Sequence, residues 1–388
     1  MEVPTSSSPT TIAAPPRSAP VAAPVGTLCI GIDARAAAEV PAGRGRVVRE
    51  LLRALNGMEQ PHPHRYILYA REAWSEPELD TSRFQWRLLD AKDPWWHVRA
   101  ARTANAECDV FLSSNSYLTS RFLRIPCVPI VYDLATFDTA MRPKRRSQVI
   151  ERLTLGGAVK RSAKLLAISQ STAEALIGRY PGAASRTVVA PLGVSPALSG
   201  TNGDAAPLHA PGFVLAVGTL EPRKNLPRLV EAYAAMPTAL QQEHPLVVVG
   251  AKGWETGGTM QALRSLGERC EILGYVSDAV LAELYGSCAV FCYPSLGEGF
   301  GLPVLEAMAA GATVLTSDIS SLPEVGGDAV AYASPTDVQS ISAQLQRLLR
   351  DEALRTQLST RARARARTFS WEAFAQTTLA TLEEAAAA

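Results

Sequence analysis

The chain has 388 residues, 47% hydrophobic and 19% charged, a globular composition with length for about two domains of ~150 residues. Lys and Arg number 38 against 37 Asp and Glu, a formal net charge of +1, which excludes a broadly basic nucleic-acid binder and an acidic solvating chain. No run of about 18 apolar residues occurs, so no membrane-spanning helix is expected. Residues 1–26 are mostly Pro, Ser, Thr, Ala and Val with no Leu-rich core; they are expected to be a disordered tail rather than a signal peptide. Order is expected from Thr27, with a buried strand to Asp33 and a loop holding Gly43 and Gly45. A helix then carries Val47, Val48, Leu51, Leu52 and Leu55 at helical spacing. Short apolar runs at 66–69, 84–89, 109–112, 128–132, 164–169 and 187–190 read as further strands, with a helix near 144–161. Residues 195–212 are turn-formers throughout and make the best linker.

The alternation restarts beyond the linker. Strands are expected at 213–217, 246–249, 270–273, 289–292 and 313–315, and helices near 225–237, 278–286 and 303–310. Arg361, Arg363, Arg365 and Arg367 alternate with Ala, so they should spread around a helix and be solvated. A final helix begins at Ser370. Apolar strands alternating with helices define an α/β chain with parallel sheets covered on both faces. Two such halves enclose a cleft, and ligands favour the carboxyl ends of parallel strands. The six cysteines form no Cys-x-x-Cys pair, so they are read as reduced, packed thiols in a reducing cytosol, with no zinc or redox site.

Two segments concentrate chemistry. In Gly218-Thr219-Leu-Glu-Pro-Arg223-Lys224-Asn225, adjacent Arg and Lys follow a strand and precede a helix. A planar guanidinium fork beside a compact ammonium suits a diphosphate; a solvated loop pair is the plain alternative. In Ser295-Leu-Gly-Glu298-Gly299-Phe300-Gly301-Leu302-Pro-Val-Leu-Glu306, Pro303 suits a first helical turn and Gly311 a helix end. The glycines let backbone N–H groups approach an anion at the helix N-terminus. Glu298 and Glu306 can face one pocket, where a carboxylate accepts two hydrogen bonds from vicinal hydroxyls; a capping carboxylate and a surface Glu are the alternative.

Taken together, Glu-Pro-Arg-Lys-Asn and the Glu298-x7-Glu306 segment resemble the retaining glycosyltransferases of family 4, over nearly all of residues 27–385. The resemblance implies the GT-B fold, two Rossmann-like domains facing each other across a cleft. An acceptor-binding domain would span 27–194, a linker 195–212, and a nucleotide-sugar-binding domain 213–368. The helix of 369–388, with Phe369-Ser370-Trp371, would cross back onto the first domain. Arg223 and Lys224 would hold the diphosphate and stabilise the leaving group, with Glu298 near the sugar and Glu306 on the ribose. Gly218, Thr219 and backbone groups of Gly299, Phe300, Gly301 and Leu302 would complete the donor site. Tyr275 and Val276 lie in what resembles the base-contacting loop. The donor is a substrate; no cofactor and no metal is implied, and no Asp-x-Asp cluster is present.

The loop Gly43-Arg44-Gly45 resembles the family's Gly-rich loop facing donor and acceptor, with Arg44 where Ile is commoner. Tyr132-Asp133 stands where many relatives carry His-Asp. Tyrosine is a poor base near neutrality, so the leaving phosphate is the expected proton acceptor. Trp95 and Trp96 are core residues or sugar- or membrane-contacting ones, and Arg142, Lys144, Arg145 and Arg146 mark a solvated helix start or contact with anionic lipid or a lipid diphosphate. Residues 27–200 hold 24 Lys and Arg against 16 Asp and Glu, and residues 201–388 hold 13 against 20. A basic half thus meets an acidic one, and peripheral contact with the inner face of the cytoplasmic membrane is expected. The expected activity is transfer of mannose from GDP-mannose to a lipid-linked or growing polysaccharide. UDP-glucose, dTDP-rhamnose or another donor, a small-molecule acceptor, or a non-catalytic nucleotide-sugar-binding protein are the alternatives. Neither half opens with the Gly-x-Gly-x-x-Gly of a nicotinamide oxidoreductase.

Overall fold

A computed structural model describes residues 26–59, 64–75, 79–134, 145–198, 210–251, 253 and 257–388. Most of the expected tail, Arg142, Lys144 and linker residues 199–209 lie outside the described residues. The first sheet contains β1 (Cys29–Asp33), β2 (Arg65–Ala70), β3 (Phe84–Leu88), β4 (Val110–Ser113), β5 (Cys127–Val131), β6 (Leu165–Ala167) and β7 (Thr187–Val189). The second contains β8 (Val214–Val217), β9 (Leu246–Val249), β10 (Cys270–Gly274), β11 (Val290–Tyr293), β12 (Val314–Ser317) and β13 (Ala331–Ala333). Strand orders are 3-2-1-4-5-6-7 and 10-9-8-11-12-13, with every pairing parallel. Helices cover both faces, which is why β1 and β11 are apolar runs buried along their whole length.

The first half carries α1 (Arg35–Glu39), α2 (Arg44–Gly57), α3 (Trp95–Glu107), α4 (Arg145–Arg161) and α5 (Gln170–Arg179). The second carries α6 (Leu226–Ala234), α7 (Thr238–Glu243), α8 (Gly257–Ser265), α9 (Asp278–Ser287), α10 (Leu302–Ala310), α11 (Leu322–Gly326), α12 (Val338–Arg350), α13 (Glu352–Ala366) and α14 (Trp371–Ala387). β1 sits between β2 and β4, and β8 between β9 and β11. The direction of winding reverses at those points, opening a crevice at the strands' carboxyl ends.

One apolar cluster runs through both halves, from Ile30, Leu51 and Leu112 to Phe291, Leu305 and Met308, and on to Trp371 and Phe374. α14 lies against α2, β4 and β5, so the end of the chain closes the first half's core. The arginines of α13 correct one expectation. Arg365 donates to the carbonyl oxygens of Glu324 and Val325, each at 2.6 Å, and so ties α13 to the end of α11 instead of being solvated.

Candidate active site

Both chemical segments of the second half meet at its switch point. After β8, the chain turns through Gly218 and the exposed Thr219 into a short 3-10 turn at Pro222–Lys224. Asn225 closes that turn in the left-handed region, with φ 60°, and its amide donates to the carbonyls of Pro294 (2.9 Å) and Pro335 (2.7 Å). The loop after β8 is thereby locked to the loop after β11. Glu298 receives the result: Arg223 Nη1 lies 2.5 Å from Oε2, and Lys224 Nζ lies 2.8 Å from Oε1. Tyr293 and Ser295 also donate to Oε1, at 2.8 and 2.7 Å, and Arg223 bonds Glu221 at 2.9 Å.

Burial alone would raise the Glu298 carboxyl, but the Lys224 and Arg223 charges outweigh it and hold it down to about 2. Burial pulls Lys224 below the usual lysine range despite its carboxylate partner. Arg223 is also penalised by burial but raised overall, Glu298 being the strongest opposing charge and Asp133 one of those acting on it from the first half. The chemical meaning is direct: two cations at the rim of a parallel sheet are held in place by one carboxylate and still offer donors to a polyanion.

Gly299 brings this loop against the first half. A Cβ there would strike the Tyr132 carbonyl oxygen, so only glycine permits the approach. Its own carbonyl accepts from Ser169 Oγ (2.5 Å) and Thr172 Oγ1 (3.0 Å). Gly301 then caps α10, and Leu302 opens it. The Phe300 side chain is buried and set edge-on to Phe369, which leaves its backbone for the ligand contact expected of it.

Glu306, on α10, is buried, with the Tyr285 hydroxyl 3.4 Å from Oε2 and Arg46 Nε 3.5 Å from Oε1. Burial raises its carboxyl, with Arg46 opposing. Tyr275 and Val276 follow β10. Tyr275 is exposed and helps line a cavity of about 330 Å³ with Arg46, Arg49, Glu50, Trp74 and Asp278.

On the first half, Gly43 caps α2 and Gly45 packs where a Cβ would meet the Val40 carbonyl. Arg44 reaches the Asn115 carbonyl at 3.4 Å and lies over the Tyr132 ring at 5.2 Å. The Tyr132 side chain is buried. Its hydroxyl points inward and donates to the Ser114 carbonyl at 2.7 Å, and burial raises it; what it presents to the cleft is its backbone. Trp96 is fully buried, with the Arg35 guanidinium 3.7 Å above its ring. Contact between Trp96 and membrane or acceptor is therefore ruled out, because the ring supports the buried Arg35–Asp33 pair (2.9 Å). Trp95 is 68% exposed at the start of α3, and Arg145 and Arg146 begin α4. Arg46, Tyr293, Ser295, Asp278 and Tyr285 were not picked as site residues from sequence. The only signal for Arg46 was its place beside Gly45.

The sequence profile described as Glycosyl transferases group 1 matches residues 206–365. The O-antigen chain mannosyltransferase B of Escherichia coli is 34% identical over 305 residues, covering 76% of this chain and 75% of that one. The serotype-specific mannosyltransferase WbdA of Escherichia coli is 40% identical over 163 residues, 41% of this chain but 20% of that protein. Among solved structures, HepE from Anabaena in complex with UDP and glucose aligns with TM-score 0.71 at 18% identity, covering 92% of this chain and 99% of that one. Sucrose-phosphate synthase from Thermosynechococcus elongatus aligns at 0.70 and 19% identity, covering 90% and 97%. With the two parallel-sheet halves and the cleft between them, these relationships establish that the chain is a GT-B glycosyltransferase and belongs to the group 1 glycosyl transferases.

Proposed function

We propose that the protein transfers mannose from GDP-mannose to a hydroxyl of a growing or lipid-linked polysaccharide, with retention of anomeric configuration and without a metal. The observation that carries this reading is the Arg223–Lys224–Glu298 cluster at the crevice of the second sheet. As the bond between sugar C1 and the phosphate oxygen breaks, negative charge grows on the departing diphosphate, and preorganised cations favour that state over the ground state. The acceptor oxygen forms its bond to C1 on the face the phosphate leaves. The hydroxyl proton passes to the leaving phosphate oxygen, in keeping with a Tyr132 hydroxyl engaged on Ser114. Glu306 accepts from the ribose hydroxyls. The names of the relatives above support mannose; the charge excess of the first half supports an acceptor at an anionic lipid surface.

The test incubates the full chain, without added metal, with a panel of nucleotide sugars and lipid-linked acceptors on anionic vesicles, and measures nucleoside diphosphate release. GDP release from GDP-mannose, dependent on acceptor, is expected. Release only from another donor would overturn the mannosyl reading, and no release from any donor would overturn the catalytic one.

A further inference from the structure

Arg46 is the second charged residue of α2, yet its side chain leaves the first half altogether. It lies 2.6 Å from Asp278 on α9 and 3.5 Å from Glu306 on α10. Its remaining nitrogen donates to Ser195 Oγ at 3.2 Å, and that hydroxyl donates to Glu50 on α2 at 2.7 Å. The guanidinium is 11% exposed and Glu306 is 7% exposed. An arginine drawn from one domain onto the buried Glu306 and the half-exposed Asp278 of the other carries a desolvation penalty, which only good geometry on both sides offsets.

Glu306 is faced by three ionisable groups: Arg46 from α2, and Tyr285 and Asp278 from α9. Burial and the Asp278 charge favour its neutral form; the Arg46 charge and the Tyr285 hydroxyl favour the carboxylate. A carboxylate has about four acceptor positions; the Tyr285 hydroxyl takes one, and Arg46 stands against the other oxygen as an ion pair at 3.5 Å. Positions remain for the two hydroxyls of a vicinal diol. Protonation would turn one of them into a donor.

We propose that Arg46 is a positioning residue for the donor nucleoside: reaching across the cleft from α2, it holds the Glu306 carboxylate ready for the ribose hydroxyls. This rests on the reading of Glu306 as the ribose-binding carboxylate. The nucleoside site is then complete only when both halves are in place, and Arg46 contributes to donor affinity through Glu306.

GDP and UDP are titrated calorimetrically onto the full chain between pH 6 and pH 8, each variant being compared with wild type at the same pH so that the nucleotide's own ionisation cancels. With the tighter nucleotide, Arg46→Gln is expected to weaken binding about tenfold or more at pH 6 and by less as pH rises toward 8, because burial and Asp278, no longer opposed by Arg46, raise the Glu306 carboxyl. Arg46→Lys should restore most of the affinity. The double variant Arg46→Gln/Glu306→Gln should bind no worse than Glu306→Gln alone, because the two residues act through one carboxylate. The 2′-deoxy nucleotide, weaker on wild type, should lose its disadvantage on Arg46→Gln at pH 6. An Arg46→Gln loss that is absent or equal at both pH values overturns the inference, as do losses that multiply in the double variant. If Glu306→Gln weakens binding and Arg46→Gln does not, the inference alone fails. If Glu306→Gln binds like wild type, or neither nucleotide binds wild type, the ribose reading fails and takes the inference with it.

Discussion

At Glu298 a single carboxylate accepts from Arg223, Lys224, Tyr293 and Ser295, so its charge state governs the geometry of both cations. Its carboxyl is held at about 2, against an ordinary value of ~4.3 when unfolded. The resulting stability is therefore fully present above pH ~5 and lost as pH falls toward 2. A depression of that size corresponds to about 3 kcal/mol. Glu298→Gln removes one partner of a buried ion cluster and is expected to cost about 3–5 kcal/mol at pH 7, with a flatter urea midpoint between pH 5 and pH 3. GDP, which supplies anionic oxygens to Arg223 and Lys224, should raise the melting temperature of this variant more than that of wild type. At this scale the sequence was legible where spacing carried the information: Arg223, Lys224 and Glu298 fall within two short segments. Arg46 and Tyr285 were not, because their roles come from pairing across elements that no local pattern records. Trp96 stays open in sequence between core and contact for the same reason: which way an aromatic ring faces is set by tertiary packing.

Helices and strands follow from simpler rules. α10 was readable because Pro303 marks its first turn and Gly311, with φ 84°, its end. The buried strands stood out as apolar runs. Trp95-Trp96-His97 reads in sequence as an aromatic cluster, which hides the start of α3, and the three residues of β13 make no periodicity. α14 shows how an element far along the chain holds an early one. Trp371 is 3% exposed, and a Cβ on Gly193 would strike its backbone. Trp371→Ala is expected to cost about 3–5 kcal/mol in urea unfolding through the cavity it leaves. Trp371→Phe should cost much less, since the indole N–H is buried with no hydrogen-bond partner among the described residues, and its loss sacrifices no bond.

Across the whole molecule, two parallel sheets place their crevices face to face, and the apolar cluster continues from one half to the other. Polar contacts bridge the two halves where Gly299 accepts from Ser169 and Thr172, where Glu324 accepts from the backbone N–H groups of Gln170 and Ser171, and where Arg46 meets Asp278 and Glu306. The alternation of apolar runs made the two-sheet architecture legible, whereas the net charge of +1 concealed a basic first half and an acidic second. The cations proposed to handle the departing diphosphate nevertheless lie in the acidic half, so in that reading local geometry, not bulk charge, decides where the chemistry sits. The most direct test is the single-turnover rate of glycosyl transfer by wild type, Arg223→Ala and Lys224→Ala with saturating donor. Each variant is predicted to fall at least tenfold, about 1.4 kcal/mol of barrier, while remaining folded. Unchanged rates in both would contradict the assignment of leaving-group stabilisation to this pair.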